Sequence, residues 1–267
     1  MGFQKIRQTF YVAHQEHRAA FMPYFTLGFP NEVQSMEIIQ GIAENGADLI
    51  ELGIPFSDPL ADGAVIQHSS QIALQQGMNV KKALQCVTNL RKSGVNQALV
   101  LMGYINPILS YGSEKFVEDA AKSGADGLII PDLPLQEAGD LENYCVANGL
   151  ALIPMIAPNS TNERISMAAK HALGFLYLVS LTGVTGERSS LAANLRELVE
   201  RVRKFTQVPL AVGFGISTPA QAAAVAQISD GVIVGSAIIR AANTNHKSSV
   251  NELVRQLRMA MKKMNNG

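Results

Sequence analysis

The chain has 267 residues, a length that admits one large domain or two ordinary ones. Hydrophobic residues make up 47% of it, enough for a substantial core, and 22 lysines and arginines balance 22 aspartates and glutamates. Zero formal charge excludes bulk attraction to nucleic acid or anionic lipid, so any anion site must be local.

A helical segment is expected before the first strand-like run, AFMPYFT at 20–26. A helix over Glu32–Asn45 follows, with Ile38, Ile39, Ile42 and Ala43 on one side. It closes in Glu44-Asn45-Gly46-Ala47-Asp48, and DLIEL at 48–52 is the second strand. The third and fourth strands are ALVLM at 98–102 and GLIIP at 127–131. The helix between them, over Ser113–Ser123, closes in Ser123-Gly124-Ala125-Asp126, as the earlier one closed. Glycine suits the left-handed position just past a helix end because it has no Cβ to clash. ALIPMI at 151–156 and GFLYLVS at 174–180 are the fifth and sixth strands. A helix over Leu195–Phe205, with Leu195, Leu198, Val199 and Val202 at helical spacing, leads to LAVGF at 210–214. Thr218-Pro219 reads as an N-cap followed by proline at the first helical position. GVIVG at 231–235 is the last strand, and a helix follows it.

These runs are apolar on both faces, as parallel strands covered by helices must be. Eight such strands in a repeated βα unit, with helices at both ends, predict a (β/α)8 TIM barrel with an extra N-terminal helix, one domain over 1–267. A doubly wound open sheet is the alternative, but no G-x-G-x-x-G follows the first strand, which weighs against a dinucleotide-binding version. The opening MGFQKIRQTF lacks the apolar run of a signal peptide, and Ile6 stands where a myristoylation motif needs Ser or Thr. No run is long enough to span a membrane, so the chain reads as soluble and cytoplasmic. Cys86 and Cys145 lie far apart, match no metal spacing and read as buried thiols.

In such a barrel, chemistry sits at the C-terminal ends of the strands. Glu51 lies inside the second strand, in an otherwise apolar run. A lone carboxylate there is costly, so it is either a core glutamate satisfied by a buried partner or an acid with a job. The following segment, Ile54-Pro55-Phe56-Ser57-Asp58-Pro59-Leu60-Ala61-Asp62-Gly63, reads as a proline-stiffened loop that brings Glu51, Asp58 and Asp62 to one rim. Two carboxylates in different environments can divide acid and base roles. Glycines follow the last three strands at Gly183 and Gly186, Gly213 and Gly215, and Gly235-Ser236. Each alone is an ordinary barrel turn; three at one end favour a phosphate held by backbone N–H groups. The segment Gly183–Ala193 reads either as a lid over substrate or as a plain surface loop. The five histidines, His14, His17, His68, His171 and His246, are scattered and suggest no metal site.

The run LIELGIPFSDPLADG closely resembles the signature of the tryptophan synthase α-subunit family. YFTLG (24–28), LMGYINPI (101–108), PDLP (131–134), SLTGVTG (180–186), GFGIS (213–217) and VGSAI (234–238) resemble that family's segments in the same order. The resemblance implies a carbon–carbon lyase that cleaves indole-3-glycerol phosphate to indole and glyceraldehyde 3-phosphate. On the matching positions, Glu51 is the general acid/base and Asp62 holds the indole N–H. Tyr24, Tyr177, Thr185 and Phe214 line the substrate pocket, and Gly186, Gly215, Gly235 and Ser236 bind the phosphate. Asp58, Pro59, Asn106, Pro131 and Asp132 would meet a β subunit in an α2β2 heterotetramer. No metal or cofactor is implied for this chain; pyridoxal phosphate belongs to the β subunit. Tyr24 departs from the Phe common in the family, and Phe29 stands where Asp is common. A standalone lyase, a catalytically silent activator of a β subunit, and another phosphate-binding barrel such as a sugar-phosphate isomerase are the competing readings.

Overall fold

The computed structural model describes residues 2–179, 188–213 and 215–262, with backbone only at 188–193, 245 and 246. Helix α1 (Gly2–Gln15) precedes strand β1 (Ala20–Thr26), α2 (Glu32–Glu44) and β2 (Leu49–Gly53). Two helices, α3 (Ala64–Gln75) and α4 (Val80–Lys92), lead to β3 (Ala98–Met102). Two more, α5 (Ile105–Tyr111) and α6 (Ser113–Ser123), lead to β4 (Gly127–Ile129). After α7 (Gly139–Ala147) come β5 (Ala151–Leu152) and β6 (Met155–Ile156), then α8 (Asn162–His171) and β7 (Leu176–Val179). The order ends with α9 (Arg188–Arg203), β8 (Leu210–Gly213), α10 (Pro219–Ala226), β9 (Gly231–Val234) and α11 (Ser236–Ala260).

All pairings between strands are parallel, in the order β5-β4-β3-β2-β1-β9-β8-β7-β6. The two ends of that order are neighbours in sequence, which makes the sheet a barrel. The expected fifth strand is one run split at Ile153-Pro154. Ile153 N–H still donates to Leu128 O on β4 at 2.9 Å, whereas the Pro154 carbonyl accepts from Tyr177 N–H on β7 at 3.0 Å. Proline has no N–H to offer a ladder, so the run changes partner there and closes the (β/α)8 barrel. The strands are buried on both faces nearly throughout, which is why they read as unbroken apolar runs.

The extra N-terminal helix closes the bottom of the barrel. α1 buries Ile6, Phe10 and Ala13. Phe10 stacks at 5.5 Å on Phe175, just ahead of β7, and Ile6 fills the space above Gly127 and Gly174. Gly46 (φ 109°) and Gly124 (φ 99°) take the left-handed conformation expected past α2 and α6. Thr218 caps α10 in a reciprocal capping box with Gln221. Helix α6 spans the expected residues, with Gly112 at its N-cap. α9 begins at Arg188, seven residues before the expected Leu195. The second half of the segment read as a lid or a surface loop, 188–193, is thus helical.

One device recurs at the strand starts. Asp48, Asp126 and Asp230 each precede a strand and accept the N–H of the neighbouring strand, at Phe21 (2.7 Å), Leu99 (2.9 Å) and Leu210 (2.8 Å). Each carboxylate also pairs with an arginine: Arg18, Arg91 and Arg203 respectively. The Asp just before β2, β4 and β9 thus ties each of these three strands to its neighbour at the bottom face, after a Gly-Ala turn in the first two and after Ser229 in the third. That leaves the top face to the loops.

Candidate active site

At the C-terminal ends of the strands a cavity of about 250 Å³ is lined by Tyr24, Glu51, Asp62, Tyr177, Gly215, Gly235 and Ser236, among others. Seven of the ten residues expected to act on substrate therefore meet in one place. Thr185, Gly186 and Phe214 lie outside the described residues, as does the 183–187 part of the expected lid. Tyr24 and Glu51 are register partners on β1 and β2, so their side chains share the inward face.

Glu51 is 3% exposed, and its Oε2 has no hydrogen-bond partner among the described residues. The first reading, a core glutamate satisfied by a buried partner, therefore finds no partner for this oxygen among the described residues. Burial disfavours the carboxylate, and Asp62 adds repulsion, so the Glu51 pKa is pushed up to about 8. Asp62 is also buried, and burial raises it to about 6, opposed by a hydrogen bond from the Tyr104 hydroxyl. Near neutral pH the pair then holds one proton, on Glu51, with Asp62 ionised. This is the division of labour that two carboxylates need for acid and base work.

Tyr104 follows β3 and was not singled out by sequence, although it lies inside LMGYINPI. Its oxygen accepts the Ala61 N–H at 3.1 Å, its hydroxyl serves Asp62, and its ring stacks on Phe56 at 5.3 Å. It therefore clamps the acid loop at three points. Ile54 N–H to Met102 O (2.8 Å) and Gln67 Nε2 to Asp62 O (2.8 Å) hold the two ends of that loop. Asp58 does not join the pair: it is exposed and accepts from Ser57 Oγ at 2.5 Å. Of the three acids expected at this rim, Glu51 and Asp62 line the cavity and Asp58 faces outward.

The Tyr24 hydroxyl ends a buried chain. Ser69 Oγ donates to Ile66 O (2.8 Å), so in its 2.7 Å contact with Thr26 it accepts; Thr26 in turn accepts from Tyr24 at 3.2 Å. Each hydroxyl has one proton, so the direction is fixed along the whole chain. A Cβ at Gly53 would strike the Tyr24 hydroxyl, and one at Gly213 would strike that of Tyr177. Glycine at these two strand ends lets the rings lie across the barrel mouth.

At the other end of the cavity, Gly215 sits at φ 76° and Ser236 opens α11, whose first-turn N–H groups have no helical acceptor. Ser217 and Arg240 line the same space, and neither was expected from sequence. Asn106, in the first turn of α5, and Asp132 are exposed while Pro59 and Pro131 are half-buried, the last three on loops after β2 and β4; Asp132 accepts the Ile105 N–H at 3.0 Å. No group of three or more His, Cys, Asp or Glu among the described residues is placed to hold a metal ion, and no described helix is long and apolar enough to cross a membrane.

Comparison with known proteins gives a consistent result. A family profile described as tryptophan synthase alpha chain matches residues 10–267. The tryptophan synthase alpha chain of Chloroflexus aggregans is 48% identical, over 95% of this chain and 96% of its own. A protein of Saccharomyces cerevisiae named tryptophan synthase is 48% identical over 88% of this chain, which spans only 34% of that longer protein. Among solved structures, the tryptophan synthase subunit alpha of Legionella pneumophila superimposes with a TM-score of 0.89 at 35% identity, covering 96% of this chain and 97% of that one.

Proposed function

The chain belongs to the tryptophan synthase alpha chain family, and from that premise we propose that it cleaves indole-3-glycerol phosphate to indole and glyceraldehyde 3-phosphate. It is an enzyme of tryptophan biosynthesis. The observation that carries the chemistry is the pair of buried carboxyls, Glu51 and Asp62, lining one cavity, where burial and mutual repulsion favour a proton on Glu51.

The reaction is a retro-aldol cleavage. Glu51 delivers its proton to the indole carbon that bears the glycerol chain. The ring nitrogen becomes electron-poor, and the Asp62 carboxylate accepts its N–H and stabilises the charge. The bond to the glycerol carbon then breaks as the hydroxyl on that carbon gives up its proton and becomes an aldehyde. The Glu51 carboxylate takes that proton, so the acid is restored and no net proton is consumed. A carboxyl kept neutral up to about pH 8 suits the first step, and its desolvated anion suits the last. Tyr24 and Tyr177 supply walls for the indole and glycerol. Gly215, Gly235 and Ser236, with Thr185, Gly186 and Phe214, complete the substrate site in this reading.

The family's alpha chain needs no cofactor, and pyridoxal phosphate belongs to the β subunit. We infer that indole passes to that partner in an α2β2 assembly, across the rim of Asp58, Pro59, Asn106, Pro131 and Asp132. The test is turnover of indole-3-glycerol phosphate by the purified chain, with and without a β subunit, beside Glu51→Gln and Asp62→Asn. Weak turnover that the β subunit raises, and that falls by about 10²-fold or more in each variant, is the expected result. Strong turnover by the chain alone indicates a standalone lyase. Absence of turnover under every condition, or full activity in both variants, overturns the proposal.

A further inference from the structure

We propose that Arg240 is a phosphate-positioning residue, drawing the phosphate of the substrate to the Gly215–Ser236 end of the cavity and fixing it there by charge. The inference rests on the substrate reading above. Backbone N–H groups alone would make this a neutral anion site, and three observations argue for an added cation.

The first is position. Arg240 lines the same cavity as Gly215, Ser217, Gly235 and Ser236. It stands four residues after Ser236 in α11, one turn along the same helix face. The second is availability. Arg18, Arg91 and Arg203 are held by Asp48, Asp126 and Asp230, whereas Arg240 has no carboxylate partner among the described residues. Its exposed side chain can turn to a ligand without breaking an ion pair. The third is need. The chain has no net charge to attract an anion from a distance, and the cavity contains the two acids Glu51 and Asp62. A phosphate dianion entering beside an ionised Asp62 meets repulsion, and a guanidinium at the mouth offsets it with a bidentate, charge-assisted contact. The competing reading is a solvated surface cation that never meets the ligand.

The test uses the full chain and Arg240→Gln and Arg240→Lys, with two readouts. Calorimetric binding of glycerol 3-phosphate, which carries the phosphate without the indole, reports the site independently of turnover. Steady-state cleavage of indole-3-glycerol phosphate, in the presence of the β subunit, separates KM from kcat. Arg240→Gln should weaken glycerol 3-phosphate binding and raise KM by about ten-fold each, with kcat within about two-fold. The fall of kcat/KM with added salt should be shallower in Arg240→Gln than in wild type. Arg240→Lys should recover the salt slope but only part of the affinity, because an ammonium cannot bind in a fork. Unchanged binding and KM in Arg240→Gln would show that the cation is a surface group and overturn the proposal. If wild type binds glycerol 3-phosphate through Arg240 yet cleaves nothing, the reaction assignment fails while the role of Arg240 stands.

Discussion

Glu51 shows what a buried acid costs and what it supplies. A free glutamate ionises near 4.5, but this one keeps its proton to about 8, mainly because its carboxyl is cut off from water. Between those values the folded chain binds a proton that the unfolded chain has lost. Folding stability therefore falls as pH rises through that window. Glu51→Gln has no proton to lose there. Its urea midpoint should gain on that of wild type steadily between about pH 5 and pH 8, while its activity collapses. A constant gap between the two midpoints across that range would mean Glu51 is not held protonated. The same two groups bound catalysis. The kcat/KM profile should rise as Asp62 ionises near 6 and fall as Glu51 ionises near 8, the limbs belonging to the pair. Function here opposes stability at a single side chain.

At the scale of elements, the three aspartate braces make a matching prediction for the opposite face. Asp126→Asn keeps the shape but leaves the Arg91 guanidinium, 19% exposed, without its counter-charge, and weakens the hold on Leu99 N–H. Breaking such a largely buried pair should cost about 2–4 kcal/mol in urea unfolding, somewhat below the fully buried case. Asp119→Asn on the solvated Lys115–Asp119 pair of α6 should leave the midpoint unmoved. Equal effects from the two would remove the brace from the account. These elements also mark what could be read from sequence. The strands were legible because burial on both faces writes itself as continuous apolar runs, and Gly46 and Gly124 because a left-handed residue demands glycine. The braces were not, because Arg18 lies 30 positions from Asp48 and Arg91 lies 35 from Asp126. The switch of partner at Pro154 was hidden for a related reason: a run of six residues does not say which neighbour each half pairs with. In the site, Glu51 and Asp62 stood out as charges in a resembled motif. Tyr104 and Arg240 did not, since an aromatic after a strand and a cation on a helix are ordinary until the fold brings them to the cavity.

For the molecule as a whole, the barrel separates two tasks by its two ends. The bottom is closed by α1 and tied by the aspartate braces; the top holds the acids, the glycines and the rim loops. Strands that are buried throughout connect them, so damage at the bottom should change how much protein is folded without changing what the folded protein does. Phe10 offers the test. It is 5% exposed, stacks on Phe175 and is not among the residues that line the cavity. Phe10→Ala removes a large buried ring and leaves a void at the closed end, which should cost about 3–5 kcal/mol. For a chain of this size that corresponds to a fall in Tm of roughly 10 °C. Well below the lowered Tm, kcat and KM per folded molecule should match wild type, because neither the acid pair nor the phosphate end has moved. A variant that melts early but turns over normally would establish the division between the ends. A fall in kcat at temperatures where the variant is fully folded would mean that packing at the bottom sets the geometry of Glu51 and Asp62 through the strands, and that the barrel acts as one mechanical unit from plug to rim.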